Sequence, residues 1–511
     1  MKRLLLIIYS IGIFTVNAQN SGDLDITFGN NGFSWAGAGP LDDYLSDLLV
    51  DSNGGIIGLG TVYEGGSTHD FALVKVTSDG VDWDSNFANN GINTSTQIST
   101  SPYSGIIGVL QQDGKILASG SQGGGFAVVR YNFDGSLDDT FSGDGKLFIN
   151  VLSNGISNFE TPINMKLFND SSIMVIGRLN DGWGNNFTYL SKINSDGTID
   201  NSFGTDGSIT FSSYVAQKAL FYDDNDFVAA ITEDSFLKIK KYSTDGQLDT
   251  SFGVSGETSI EIEQNITLGD LVLDNQNNIY LTGYWSNDDD NIDYSQSWLL
   301  KLNSNGEIDN TFGINGIQLL SVVNYSDSRS EFPKSIILDN GLLYVGGYYN
   351  TTYSSTSFKG YVACFDLNGN LNNSFGTNGI ISLGNTLNKV KKIKIDNDGK
   401  ILIAGDDTYS DDDFMFARIH TSNSLSVEDI NIDTTIKLFP NPVNDLLKIQ
   451  TKKSLINQIK IYNNLGQIIT DIVNVNKYSY YVNTASLQQG IYHIKIIDEK
   501  GNTFNSKILK N

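Results

Sequence analysis

One motif recurs seven times along the chain and decides what it can fold into. The pattern apolar-Asx-x-x-Phe-x-x-x-Gly places Phe28, Phe87, Phe141, Phe203, Phe252, Phe312 and Phe375, with a Gly four residues after each, from Gly32 to Gly379. Only Trp83 in the first position and Asn372 at the Asx differ in kind from the other copies. The intervals between these Phe residues are 59, 54, 62, 49, 60 and 63. A period of this size means stacked copies of one supersecondary unit rather than a single continuous core.

Between motifs each copy reads as four short strands. The second copy runs SGIIGVL, a turn at Gln112-Asp113-Gly114, KILASGS, a Gly loop, FAVVRYN, a turn at Asp134-Gly135, the Phe motif, then KLFIN. β-Branched runs bounded by Asx-Gly pairs are hairpin signals, because those residues accept positive φ. Six such pairs, beginning at Asp79, Asp134, Asp196, Asp245, Asn305 and Asn368, occupy one equivalent turn. No helical period of 3.6 residues runs through this region, so helices are not expected.

The two ends of the array are complementary. The last copy ends with KILIAGD (400–406) and DFMFARI (413–419), and no Phe motif or outer strand follows Ile419. Those missing parts stand at the other end, in LDITFGNNGFSWAGAG (24–39), which has no strands before it. A ring completes both halves and removes the open edges that invite aggregation. The expected fold is therefore all-β, a seven-bladed β-propeller closed by its N-terminal strand. An open β-solenoid, the runner-up, would not need a half-unit at each end.

These repeats resemble the bacterial delta-60 repeat family, whose Asp-Gly, Leu-Asp and Phe-Gly signature is matched by DGTIDNSFGTDG (196–207) and DGQLDTSFGVSG (245–256). The resemblance covers about residues 21–420 and implies a propeller-like β fold with no defined activity. The early copies drift: Val81-Asp82-Trp83-Asp84 holds an insertion, and Ala88 and Ser142 replace the Gly after Phe.

The chain's ends carry transport signals. Lys2 and Arg3 precede an apolar run from Leu4 to Val16, and Val16-Asn17-Ala18 suits a signal peptidase, so residues 1–18 read as a signal peptide cleaved before Gln19. That run is too short to span a bilayer, no later stretch is long and apolar enough to do so, and no Cys follows for a lipid anchor. After a polar connector (421–435), residues 436–511 alternate apolar residues around Asn-Pro, Leu-Gly and Gln-Gly turns, the pattern of a small β-sandwich. This segment resembles the type A C-terminal sorting domain of the type IX secretion system of Bacteroidota. The matching residues are Phe439, Pro440, Asn441 and Pro442, Tyr462 with Gly466, Leu487 with Gly490, Ile491 and Tyr492, and the basic end Lys507 to Lys510. The resemblance implies a partner in the type IX machinery and a secreted or outer-surface destination reached through the periplasm.

With 58 acids against 33 bases, the net charge of −25 has the wrong sign for a nucleic-acid or anionic-membrane partner. One Cys excludes a multi-Cys zinc module, and three scattered His leave little for a His-rich metal centre. Cys364, within YVACF, reads as a small buried residue. No cofactor is expected. Calcium on the Asp-Gly loops remains open, although no copy has the full spacing of a 12-residue calcium loop.

The repeated Phe reads as a wedge between blades, and the Asp three residues before it as a turn cap accepting a backbone N–H. In a four-stranded blade, alternation puts the second-to-third connections and the inter-blade connections on one face. These second-to-third connections vary freely, at 61–70, 121–125, 178–187, 232–235, 284–297, 348–359 and 406–413. They hold Asp288, Asp289, Asp290, Asp293, Asp411, Asp412 and Asp413 beside Trp285, Tyr294, Tyr348, Tyr349, Tyr353 and Tyr409. Carboxylates beside aromatic rings suit sugar hydroxyls and ring faces, while a solvated acidic loop is the plainer alternative. The expectation is a secreted or surface-displayed binding or adhesion protein for a glycan or protein. The alternative is an extracellular polysaccharide lyase or hydrolase, which a convergent cluster of acids, or of Tyr, Arg and His, in the axial funnel would favour and the absence of such a cluster would not.

Overall fold

The structure is a computed structural model. It describes residues 20–37, 43–65, 68–94, 105–122, 125–150, 159–180, 186–211, 215–233, 235–262, 265–286, 295–322, 330–350, 358–384, 386–406, 413–421, 437–451, 454–463, 467–499 and 503–510. The expected signal segment and all of the connector except Thr421 lie outside these residues. Contacts divide the chain into a unit spanning Gln19–Ser424 and a second containing Leu425–Asn511.

The first unit consists of seven four-stranded antiparallel sheets and, among the described residues, contains no helix. Blade 1 holds Asp43–Val50, Ile56–Gly65, Thr68–Val76 and Ile92–Asn93. Blades 2 to 6 repeat that order, and each first strand touches the next, from Asp43–Val50 round to Lys389–Ile395 and back. Blade 7 takes three strands from the end of the unit, Lys389–Ile395, Ile401–Asp406 and Phe414–Ile419, and its fourth, Phe33–Ala36, from the beginning. Phe33 pairs with Ala417 and Ala36 with Phe414, as the complementary ends require.

The motif explains how blades join. Phe28, Phe87, Phe141, Phe252, Phe312 and Phe375 are each at most 1% exposed. A Cβ built on Gly135 would stand 2.7 Å from the Phe87 ring, and one on Gly306 2.6 Å from the Phe252 ring. In five of the six equivalent Asx-Gly turns the Gly thus has two tasks: it takes positive φ (78° at Gly135) and leaves room for the preceding blade's wedge. The backbone continues the joint, since Ala88 N–H donates to Asp134 O at 2.5 Å and Ser142 N–H to Asp196 O at 2.8 Å. Phe203 departs from the pattern. It is only half-buried, and Gly246 of the next blade meets Ile209 and Phe211 instead.

The motif Asp caps its turn as expected, Asp138 Oδ1 accepting the Thr140 N–H at 3.1 Å. Its other oxygen holds a cation from the third strand, a pairing that recurs around the ring. The pairs are Lys75–Asp84 at 3.1 Å, Arg130–Asp138 at 2.6 Å, Lys192–Asp200 at 3.1 Å, Lys241–Asp249 at 3.1 Å, Lys301–Asp309 at 2.8 Å and Arg418–Asp25 at 2.8 Å. Blade 6 replaces both partners together: Asn372 Nδ2 faces the buried Cys364 Sγ at 3.6 Å. A lone charge buried there would be costly, so the two substitutions make sense only as a pair.

The second unit holds two sheets. Lys437–Phe439, Leu446–Gln450 and Ser479–Asn483 form one; Ile468–Ile472, Ile456–Tyr462, Gly490–Asp498 and Thr503–Lys510 form the other. Val443, Leu447, Ile449, Ile459, Ile494 and Ile508 are among the residues of its core.

Candidate functional site

The innermost strands share a defect that shapes the axis of the ring. Six of the seven are bulged at one equivalent point, between Leu45 and Asp47, Pro162 and Asn164, Ala216 and Lys218, Leu268 and Asp270, Pro333 and Ser335, and Val390 and Lys392. A bulge breaks the in-out alternation and re-aims side chains. In this ring it turns consecutive residues such as Gln217 and Lys218, or Lys391 and Lys392, into a cavity of about 410 Å³ lined by all seven innermost strands. The bulges lie towards the start of these strands, and Arg178 joins the lining from near the end of a second strand. The cavity therefore opens towards the face that carries the variable connections.

Five cations line this cavity, Arg178, Lys218, Lys334, Lys391 and Lys392, against two acids, Asp47 and Asp270. That balance is opposite in sign to the chain as a whole. Both acids are engaged. Asp47 accepts the Leu48 N–H at 2.8 Å and the Gly108 N–H of the next blade at 3.0 Å. Asp270 accepts Lys392 Nζ at 3.1 Å and Ser335 Oγ at 3.3 Å. Lys391 pairs with Asp406 at 3.0 Å. Arg178, Lys218 and Lys334 have no carboxylate within ion-pair distance among the described residues. Burial lowers the affinity of Lys218 for its proton, whereas the Arg178 side chain is exposed. Burial, together with Lys218 and Lys391 nearby, brings Lys334 down to about 8.

Aromatic rings face this charge. Lys334 Nζ lies 5.5 Å from the Tyr348 ring centroid and 5.8 Å from that of Tyr284. Phe332 stands between those two rings, 5.1 Å from each.

Trp285, Tyr348 and Tyr349 lie in strands, not in the connections to which their sequence positions assign them, because the hairpins extend beyond the expected loop limits. Strand alternation then separates them. Tyr348 faces Lys334, whereas Tyr349 is 8% exposed and bonds Ser382 Oγ at 3.3 Å, and Trp285 stacks on buried Trp298 at 6.4 Å. Asp413 is half-buried immediately before the third strand of blade 7. Asp288, Asp289, Asp290, Asp293, Tyr294, Tyr353, Tyr409, Asp411 and Asp412 lie outside the described residues. Sequence reasoning missed Tyr284, which shares the register of Tyr348, and the whole cationic set. Its signal was a Lys in several otherwise apolar innermost strands, as in KSIIL (334–338) and KVKKIKI (389–395). Among the described residues no group of three or more His, Cys, Asp or Glu is placed to hold a metal ion.

In the second unit, Asn441 anchors the final strand: its Oδ1 accepts the Leu509 N–H at 2.8 Å and its Nδ2 donates to Lys507 O at 3.0 Å. Pro440 and Pro442 flank it on the exposed link between the first two strands, and Tyr492 OH donates to Gln488 O at 3.0 Å beside Gly490. Gly466 lies outside the described residues. No helix among the described residues is long and apolar enough to cross a membrane.

Comparison with known proteins agrees with both units. Residues 437–511 match the secretion system C-terminal sorting domain, and residues 111–141, 169–203 and 339–375 match the domain of unknown function (DUF5122) beta-propeller. No curated protein matches the chain. Among solved structures, a polysaccharide lyase, an ulvan lyase bound to a GlcA-Rha3S saccharide, is 9% identical over 82% of this chain and 98% of its own, with a TM-score of 0.43. An α-L-arabinofuranosidase from Fusarium graminearum is 8% identical over 77% and 99%, with a TM-score of 0.41. A protein of unknown function from Bacteroides caccae is 11% identical over 67% and 98%, with a TM-score of 0.33. None of these likenesses speaks to activity. The chain is a repeat β-propeller protein with a C-terminal secretion sorting domain, directed to the cell exterior or the outer surface by the type IX route.

Proposed function

We propose that this is an extracellular binding protein that takes a glycan on the variable face of its propeller, at the mouth of the axial cavity, after loss of its N-terminal signal. One observation supports this reading above the others: Tyr284, Phe332 and Tyr348 form an aromatic wall beside the polar groups that the bulged strands turn into the cavity. Rings beside hydrogen-bonding groups suit a pyranose, which has apolar faces and a polar rim. The bulge gives this arrangement a structural basis, since regular strands would direct half of these side chains into the blade interfaces.

A glycan array probed with the full chain, repeated with calcium chelated, tests the reading. Binding that survives chelation and falls on Tyr348→Ala supports it. Absence of any glycan signal, with a protein ligand recovered instead, would overturn it. Cleavage of a bound polysaccharide, read as new reducing or unsaturated ends, would move the assignment to the enzyme alternative.

A further inference from the structure

We infer that the axial cavity is built for an anionic group, the carboxylate or sulfate of an acidic polysaccharide, held by Arg178, Lys218 and Lys334. The inference rests on the glycan reading above and narrows its ligand class.

The argument is one of charge accounting within the cavity. A chain with 25 surplus negative charges places five cations against two acids around its axis. Asp270 pairs with Lys392 and Lys391 has Asp406, while Asp47, bonded to backbone N–H groups, keeps its charge. Asp47 is thus the one unpaired carboxylate set against three cations from three blades, Arg178, Lys218 and Lys334, which leaves an excess of positive charge. Arg178 comes from the second strand of blade 3, Lys218 from the first strand of blade 4 and Lys334 from the first strand of blade 6. Like charges gathered around one cavity repel one another, and the half-buried Lys218 and Lys334 are incompletely hydrated. The same arrangement is favourable once an anion enters, because each cation then gains a charge-assisted hydrogen bond.

Most blades carry no cation at the registers of Lys218 and Arg178. At the register of Lys218 the other innermost strands place Asp47, Ile107, Asn164, Asp270, Ser335 and Lys392. At that of Arg178 the other second strands place Thr61, Ser121, Thr232, Tyr284, Tyr348 and Asp406. The repeat therefore does not require cations at these positions, in contrast to the third-strand cations that pair with the motif Asp. Ring stacking from Tyr284 and Tyr348 beside Lys334 adds a surface for the sugar that bears the anion.

The test is titration calorimetry of the full chain with polygalacturonate, dextran sulfate and neutral dextran at low and high salt. Binding of either acidic polymer but not neutral dextran, weakened by salt, is expected. The polymer that binds identifies carboxylate or sulfate as the source. The Lys218→Gln/Lys334→Gln variant should lose about tenfold or more in affinity, by the worth of two charged hydrogen bonds. Lys460→Gln, in the C-terminal unit, should lose none. Lys218→Arg, which keeps the charge, should retain binding and serves as the check if the double variant misfolds. Equal affinity of the double variant and the wild type would overturn the inference, as would preference for neutral dextran, which leaves the glycan reading standing. Failure to bind any polysaccharide here and on the array would remove both.

Discussion

Arg418 Nε donates to Asp25 Oδ2 across 2.8 Å and 393 positions of sequence. Lys400 Nζ reaches the same oxygen at 2.8 Å, and Arg418 Nη1 continues to Ser78 O in blade 1 at 2.8 Å. One carboxylate thus ties the first described segment to the last blade, with both main partners buried, Asp25 at 1% and Arg418 at 7% exposure. Removing one partner of a buried pair leaves the other charge uncompensated. Asp25→Ala should lower unfolding stability by about 3–5 kcal/mol, read from urea denaturation monitored by tryptophan fluorescence. A loss within error of zero would deny the pair its closing role.

The same carboxylate makes the closure acid-sensitive. Burial alone would raise its pKa, but hydrogen bonds from Lys400 and Thr27 and the Arg418 charge overcome this and hold it well below the usual carboxylate range. A carboxyl depressed on folding contributes stability that is fully present above its unfolded value near 3.8 and is lost as pH falls towards its folded value. Melting temperature should therefore fall from about pH 4 downward in the wild type, and less steeply in Asp25→Asn.

Lys334 titrates at the other end of the scale. Lys218 from blade 4, Lys391 from blade 7 and the rings of Tyr284 and Tyr348 face its ammonium, and its value of about 8 lies below the ordinary 10.5. Between these two values the unfolded chain binds a proton that the folded chain has released. The group's contribution to stability thus rises with pH across that window. Compared with wild type, Lys334→Met should show a flatter stability profile from about pH 8 to 10.5. Parallel profiles would place Lys334 in ordinary solvent.

Ala88 and Ser142 occupy the position after the wedge Phe with φ of 45° and 53°, the left-handed conformation that Gly takes in the other copies. An L-residue is strained there by about 1–2 kcal/mol, partly offset by the entropy glycine loses on folding. Ala88→Gly and Ser142→Gly should each stabilise by about 0.5–1 kcal/mol in chemical denaturation. Destabilisation in both would show that their side chains matter more than the backbone.

Blade 6 offers a double-mutant cycle. Cys364→Lys alone buries a charge beside Asn372, and Asn372→Asp alone buries one beside a thiol, so both should destabilise. Together they restore the pairing of the other blades, and the double variant should recover at least about 1 kcal/mol relative to the sum of the two losses. Additive losses would mean that the seven sites are not equivalent.

The ring was legible because its period, its turn residues and its mismatched ends are all local or countable features. Phe87 and Gly135 could be recognised separately as a wedge and a turn; that one sits against the other needed the structure. The cation opposite each motif Asp was missed although it recurs, because a charged residue in a buried third strand breaks the hydrophobic pattern used to find strands. Tyr284 and Tyr348 become equivalent only through strand register, which the unequal lengths of their connections conceal in the sequence. The axial cations were hidden by the bulges, which move Lys218 and Lys334 off the face that simple alternation assigns them.

The account depends most on the N-terminal segment completing blade 7, since that pairing closes the ring and fixes the cavity its seven innermost strands enclose. The direct measurement is thermal unfolding of the chain with and without residues 19–37. Loss of these residues should uncover the edge at Phe414–Ile419 and lower the melting temperature sharply. An unchanged melting temperature would contradict the closure.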